Sequence, residues 1–244
     1  MIRIIFDFGF LLLFLLVSYL IFPIMWVLGK INKEKKDYTC LRIVQWGFRV
    51  LLKGAGTKVT VIGKENIPEE AALFIGNHRS FFDIIITYTH FKNRIGFIAK
   101  DAVEKAPSLR VWMRHLYCLF LNRKDPREGM KVILKAIEQI KEGISIFVFP
   151  EGTRNKGEEL SLLPFKEGTF KIATKTGCPI VPVAINNTAT IFENQFPKIK
   201  KTHVVVEYCK PIYPNELSRE ELKGIGAKCQ EIIQEKINKN AELL

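Results

Sequence analysis

Histidine and cysteine are scarce in this 244-residue chain, four and five residues respectively. Cys40, Cys118, Cys178, Cys209 and Cys229 form no CxxC pair, and an odd, scattered set does not build a disulfide framework. Free thiols in a reducing compartment are the expectation. His90, His115 and His203 have no compact ligand spacing with His78, so no metal site is expected. The chain lacks GxxxxGK[ST], which removes that mode of cradling nucleotide phosphates. It also lacks GxSxG, and no cysteine has a paired histidine, so no covalent nucleophile stands out. There is no internal repeat, low-complexity tract or second globular domain. Acidic residues are in deficit, 25 against 37 Lys and Arg, for a net charge of +12. That excess suits an anionic partner, but no recognition-helix or aromatic-rich RNA motif accompanies it, and nucleic acid is not expected.

Charge is also missing locally. Between Phe8 and Gly29 no charged residue occurs. As a helix this run would be roughly 33 Å long, enough to cross a hydrocarbon core. Arg3 and Asp7 precede it, whereas Lys30, Lys33, Lys35 and Lys36 follow. The heavier basic flank predicts a protein of the cytoplasmic membrane with its main domain facing the cytoplasm. A signal peptide would be shorter, start more basic and carry a small-residue cleavage site. A crossing helix is the first reading. The alternative is a helix lying in one leaflet, because Pro23 can kink the run and residues 40–52 form a second apolar stretch edged by Arg42, Arg49 and Lys53. The expected layout is a membrane anchor and interfacial helix over residues 1–54 and a catalytic domain over 55–244.

In the remainder, short apolar runs alternate with helical patterns. Strands are expected at residues 57–62, 71–75, 95–99, 118–121, 144–149, 180–185 and 203–208. Helices are expected at 81–91, 109–115 and 165–176. Another should follow Asp125-Pro126, with Glu128 completing the cap, and a last one the Ser218/Glu221 capping box. The pattern predicts an α/β fold: one domain with a central, largely buried sheet flanked by helices, plus the N-terminal membrane-anchoring helix.

Two segments carry chemistry. Asn77-His78-Arg79-Ser80-Phe81-Phe82-Asp83 leaves a buried strand and enters an apolar helix. With His78 on the strand exit and Asp83 in the first helical turn, the carboxylate can fold back to the ring. It would then fix the tautomer and leave the other nitrogen to take a proton from an alcohol. Capping the helix is the plainer use of Asp83. In Phe149-Pro150-Glu151-Gly152-Thr153-Arg154 a strand runs straight into a carboxylate, a glycine, a hydroxyl and a guanidinium. Gly152 permits left-handed backbone, Arg154 offers a rigid fork for phosphate, and Glu151 can orient a hydroxyl or hold a basic residue.

Together, Asn77-His78 with Asp83 five positions on from the histidine, and the later Phe149–Arg154 segment, resemble the glycerolipid acyltransferase family, in particular bacterial 1-acyl-glycerol-3-phosphate acyltransferases. Phe120-Leu121-Asn122-Arg123 and Val181-Pro182-Val183-Ala184-Ile185 are similar to two further blocks of that family. The resemblance implies acyl transfer from acyl-CoA or acyl-carrier protein, with no cofactor, to lysophosphatidic acid. His78 is then the general base, Asp83 its orienting partner, and Arg123, Glu151, Gly152, Thr153 and Arg154 the acceptor-binding set. Lys100 resembles another phosphate-contacting position, although Asp101-Ala102-Val103-Glu104 departs from the family's basic and apolar run. The implied partners are membrane lipids, lysophosphatidic acid and acyl-carrier protein. Glycerol 3-phosphate or another lysolipid as acceptor, and a non-catalytic protein that binds anionic lipid, are the competing readings.

Overall fold

A computed structural model of the chain describes residues 1–122 and 125–244. Two helices open it, α1 (Ile2–Ile31) and α2 (Lys33–Ala55). They turn at Asn32, whose side chain accepts from Lys35 N at the start of α2. The α/β body follows in chain order: β1 (Lys58–Ile62), β2 (Leu73–Gly76), α3 (Phe81–Tyr88), β3 (Ile95–Lys100), α4 (Pro107–His115), β4 (Leu119–Leu121), α5 (Pro126–Lys141), β5 (Ser145–Val148), α6 (Lys171–Thr176), β6 (Ile180–Asn186), β7 (His203–Tyr208), α7 (Arg219–Lys223) and α8 (Ile225–Asn240).

The seven strands form one sheet in the order β1-β7-β6-β2-β5-β3-β4. Every pairing is parallel except the antiparallel β6–β7 pair. The short apolar strands are explained by burial on both faces. Phe74, Phe147 and Val183 point into a core shared with Leu41, Val44, Phe82 and Trp112, from α2, α3 and α4. Leu73, Ile75 and Ile146 face the opposite way, onto Val132, Ala136, Ile172 and Ile233 of α5, α6 and α8. The α/β expectation therefore holds, with all seven strands close to their expected places.

The departures are local. The helix expected over 81–91 ends at Tyr88, where the buried amide of Gln45 donates to the carbonyls of Tyr88 and Phe91. Residues 167–170 form a tight 3-10 turn ahead of α6, and Gly224 divides the C-terminal helix into α7 and α8. Asp125 caps α5 by accepting from Arg127 N, but Glu128 turns outward to Lys131, 2.7 Å away, instead of completing a box.

α1 is long and apolar enough to cross a membrane, yet it lies antiparallel along α2 for its full length. Phe6 and Asp7 meet Gly54, Phe14 meets Gly47, and Gly29 meets Lys36. Its middle is fastened to α4: Trp112 donates to Ser18 Oγ at 2.7 Å, Ser108 to the Leu15 carbonyl at 2.9 Å, and the rings of Phe14 and Trp112 stack. α2 in turn buries Cys40, Leu41, Val44 and Gln45 against the α/β body.

Candidate active site

The strand order decides where the two chemical segments meet. β2 and β5 are parallel neighbours, with Ile75 opposite Val148, so the chain leaves both at the same carboxyl edge of the sheet. Open α/β sheets bind ligands at this edge. The exit of β2 is set by Asn77. Its buried amide donates to the Ile185 carbonyl and accepts from Ile185 N, both at 2.8 Å, which extends the β2–β6 pairing by one side chain.

His78 is then held by the other segment. Its N–H donates to Glu151 Oε1 at 2.7 Å, and its carbonyl accepts from Asn155 N at 2.7 Å. The ring stacks on Phe149, with centroids 4.2 Å apart. Nδ1 lies 2.8 Å from Asp83 Oδ2. That same oxygen accepts from the N–H groups of Arg79 (2.7 Å) and Ser80 (2.8 Å), while Oδ1 accepts from Thr188 Oγ1 at 2.5 Å. Because the carboxylate is wholly buried among donors, it serves as the acceptor for the ring. Nδ1 therefore carries the hydrogen and Nε2 presents a lone pair. Capping and orienting prove to be one device. Ser80 and Asp83 close a capping box on α3, and the oxygen that satisfies the Ser80 N–H also holds His78.

Glu151 is almost fully buried, and both of its oxygens are occupied: Oε1 by His78 N and Oε2 by Leu163 N at 2.9 Å. Burial raises its pKa above the ordinary carboxylate value, partly offset by those two N–H donors. It staples the motif loops together.

Gly152 has φ +72°, and a Cβ there would lie 2.5 Å from Lys166 Nζ. The missing side chain is what lets this ammonium approach the turn. Among the described residues Lys166 has no ion-pair partner. Thr153 is exposed. Arg154 reaches back over the start of α3, its guanidinium 4.0 Å from the Phe81 ring centroid and 3.1 Å from Glu193 Oε1. Glu193 also accepts from Ser80 Oγ (2.6 Å) and Phe81 N (2.9 Å). Lys100 ends β3, beside β5, at the same carboxyl edge and exposed. Arg123 lies outside the described residues.

His78, Asp83, Glu151 and Arg154 are thus brought together around the first turn of α3. Sequence reasoning did not single out Thr188, Glu193, Lys166 or the ring face of Phe149. Thr188 and Glu193 follow β6, Thr188 105 residues from Asp83 and Glu193 112 from Phe81 and 39 from Arg154, and have no local pattern to mark them. Phe149 opens the 149–154 segment, where its position next to a strand end reads as core.

The Acyltransferase family model matches residues 58–186. A 1-acyl-sn-glycerol-3-phosphate acyltransferase of Saccharomyces cerevisiae is 30% identical over 185 residues, covering 75% of this chain and 61% of that protein. Its namesake in Borreliella burgdorferi is 36% identical over 154 residues, covering 63% and 58%. Matched regions thus span about three fifths of the length of these curated relatives. The crystal structure of the 1-acyl-sn-glycerophosphate (LPA) acyltransferase PlsC from Thermotoga maritima superposes with a TM-score of 0.78 at 25% identity, covering 97% of each chain. With motif order, sheet order and these likenesses in agreement, the chain belongs to the Acyltransferase family.

Proposed function

We propose that this protein transfers a fatty acyl group from an acyl thioester to the sn-2 hydroxyl of 1-acyl-glycerol 3-phosphate, giving phosphatidic acid. The observation that carries this reading is the His78–Asp83 pair: Nδ1 is tied to a buried carboxylate, and Nε2, at the carboxyl edge of the sheet, has no partner among the described residues. Nε2 takes the acceptor's hydroxyl proton as the oxygen attacks the thioester carbonyl. When the tetrahedral intermediate collapses, the C–S bond breaks and the imidazolium returns the proton to the departing sulfur. Asp83 stabilises the ring while it is charged. The donor is acyl-CoA or acyl-carrier protein, and the step balances with the thioester alone.

The acceptor phosphate is assigned to the cations at this edge. Arg154 and Lys166 flank the Gly152 turn, and Lys100 lies on the neighbouring strand. Arg123 joins them by the family resemblance. Thr153 is exposed on the same turn and free to bond the acceptor, whereas Glu151 acts by holding the loops.

The anchor is read as α1 lying within one leaflet, residues 1–54 forming the attachment element and residues 55–244 the catalytic domain on the cytoplasmic side. Three features support this. The middle of α1 is bonded to α4, so a crossing helix would draw α4, with Arg110 and Arg114, into hydrocarbon. The outer face exposes Phe8, Leu12, Leu16, Leu20 and Trp26, joined by Trp46 of α2. The basic residues Lys30, Lys33, Lys35 and Lys36 cluster at the hairpin turn.

The test is purified protein given labelled acyl-CoA or acyl-carrier protein with lysophosphatidic acid, glycerol 3-phosphate or lysophosphatidylcholine. Phosphatidic acid formed from lysophosphatidic acid is the expected result. Product only from another acceptor would reassign the substrate, and no product from folded protein would overturn the enzyme reading. A non-catalytic lipid-binding protein would have no use for a histidine fixed by two loops and a buried carboxylate.

A further inference from the structure

Beyond α1, one surface loop is built for the same environment. Residues 192–201, between β6 and β7, read Phe-Glu-Asn-Gln-Phe-Pro-Lys-Ile-Lys-Lys. Phe196 is 73% exposed, the most of any large hydrophobic side chain outside α1 among the described residues. It is not a stray side chain. Phe192 packs edge-on against it, with centroids 5.4 Å apart, and Ile199 packs on the core, so the loop is braced with Phe196 directed outward. Around it Lys198, Lys200 and Lys201 are exposed, and none has an ion-pair partner among the described residues.

The loop also adjoins the apolar hairpin. A Cβ at Gly56, where α2 ends, would lie 3.4 Å from Arg3 Nε of α1 and 3.4 Å from Lys201 Cγ. The exposed apolar start of α1 (Ile2, Ile5, Phe6) and the aromatic, basic loop are therefore neighbours. An exposed aromatic ring with exposed lysines two to five residues further along the same loop suits the boundary between headgroups and acyl chains, where the ring enters and the ammonium groups meet lipid phosphates.

We propose that the 192–201 loop is a second membrane contact, with Phe196 inserted into an anionic leaflet and Lys198, Lys200 and Lys201 on its phosphates. The proposal rests on the reading of α1 as a membrane anchor. Charge alone would equally suit a soluble polyanion; the outward Phe196 and the continuity with α1 favour lipid. The contact reaches the active site through Glu193, on the same loop, whose carboxylate holds Arg154 and the N-terminus of α3. Docking would thus seat the mouth of the site, with its exposed Phe81, at the lipid surface.

The test uses the full chain in flotation with vesicles of phosphatidylcholine alone or mixed with phosphatidylglycerol. The parent should bind both and prefer the anionic vesicles. The K198Q/K200Q/K201Q variant should lose about tenfold or more of that preference, because each basic residue near an anionic surface favours binding. A polarity-sensitive dye on F196C, read against the identically treated parent, should shift to the blue on anionic vesicles. If the parent binds while the triple variant keeps its preference and the dye stays in water, the loop contact is overturned and the α1 anchor stands. A parent that binds no vesicle overturns both. Loss of heparin retention in the triple variant, with no vesicle response at position 196, would assign the lysines to a soluble polyanion and also overturn it.

Discussion

At the scale of single residues, the proposed chemistry depends on how Asp83 is held. Three donors on Oδ2 and Thr188 on Oδ1 leave the carboxylate one orientation, and the imidazole inherits it. Replacing His78 by Ala should lower turnover by about 10²–10⁴-fold or more with the protein still folded. Thr188→Val keeps the shape but removes one bond to a charged group, and a fall on the order of tenfold is expected. The double variant should then be no slower than His78→Ala alone, because Thr188 acts through the ring. An additive loss in steady-state kinetics would remove Thr188 from this role. His90 answers to a different rule. Burial, with Lys64 and Arg49 nearby, pushes its pKa from 6.5 down to about 4, and its Nδ1 pairs with the Tyr208 hydroxyl at 2.9 Å. Between those two pH values the unfolded chain holds a proton that the folded protein does not. Stability is therefore lost as pH falls through 6.5 toward 4, by up to about 3 kcal/mol, less because the ring is partly exposed. Denaturation midpoints should drop from pH 7.5 to 5, and His90→Gln should flatten that slope. An unchanged slope would place the acid sensitivity elsewhere.

At the scale of elements, two junctions matter. The first turn of α3 is at once a helix cap and the brace of the His78 ring, so its boundary admits no slippage: moving the cap by one residue would separate Asp83 from His78. The other junction is the α1–α2 hairpin, which depends on small residues where the helices approach. At Gly54 any Cβ would collide with Phe6 and Asp7. Gly54→Leu should spread this end of the hairpin at a cost of about 1–3 kcal/mol. A lower Tm in detergent and faster proteolysis within residues 1–56 are the expected signs, and a melt identical to the parent's would show that the helices do not need this approach. Because α2 carries Gln45 beneath the end of α3, damage there should also reach the active-site helix.

At the scale of the whole molecule, a net charge of +12 is combined with an apolar helix in which only Asp7, Ser18 and Met25 are buried. The two act over different ranges. Charge draws the protein toward anionic lipid and is screened at about 3 Å in 1 M salt, whereas burial of the exposed face of α1 does not depend on ions. High salt should consequently abolish the preference for anionic vesicles without releasing the protein, and detergent should release it. Release by salt alone would mean that α1 is not embedded.

The alternation of short apolar runs with helical patterns already specified an α/β body, because strands buried on both faces must be apolar throughout. The capping roles of Asp83, Asp125 and Ser218 were legible for the same local reason: a cap bonds groups within a few residues. His78, Asp83 and the 149–154 turn stood out as candidates, and the fold brings them together. What only the tertiary structure decided lies across the sheet. That Glu151 spends its carboxylate on backbone N–H groups, that Thr188 completes the cage of Asp83, and that Glu193 holds Arg154 all follow from β2 standing between β5 and β6. The path of α1 was equally out of reach, since composition measures how apolar a helix is, while its packing on α4 rests on Ser18, Ser108 and Trp112, residues that nothing local joins. Local bonds leave their mark in neighbouring residues, whereas contacts made by strand order appear only when distant segments are brought to one edge.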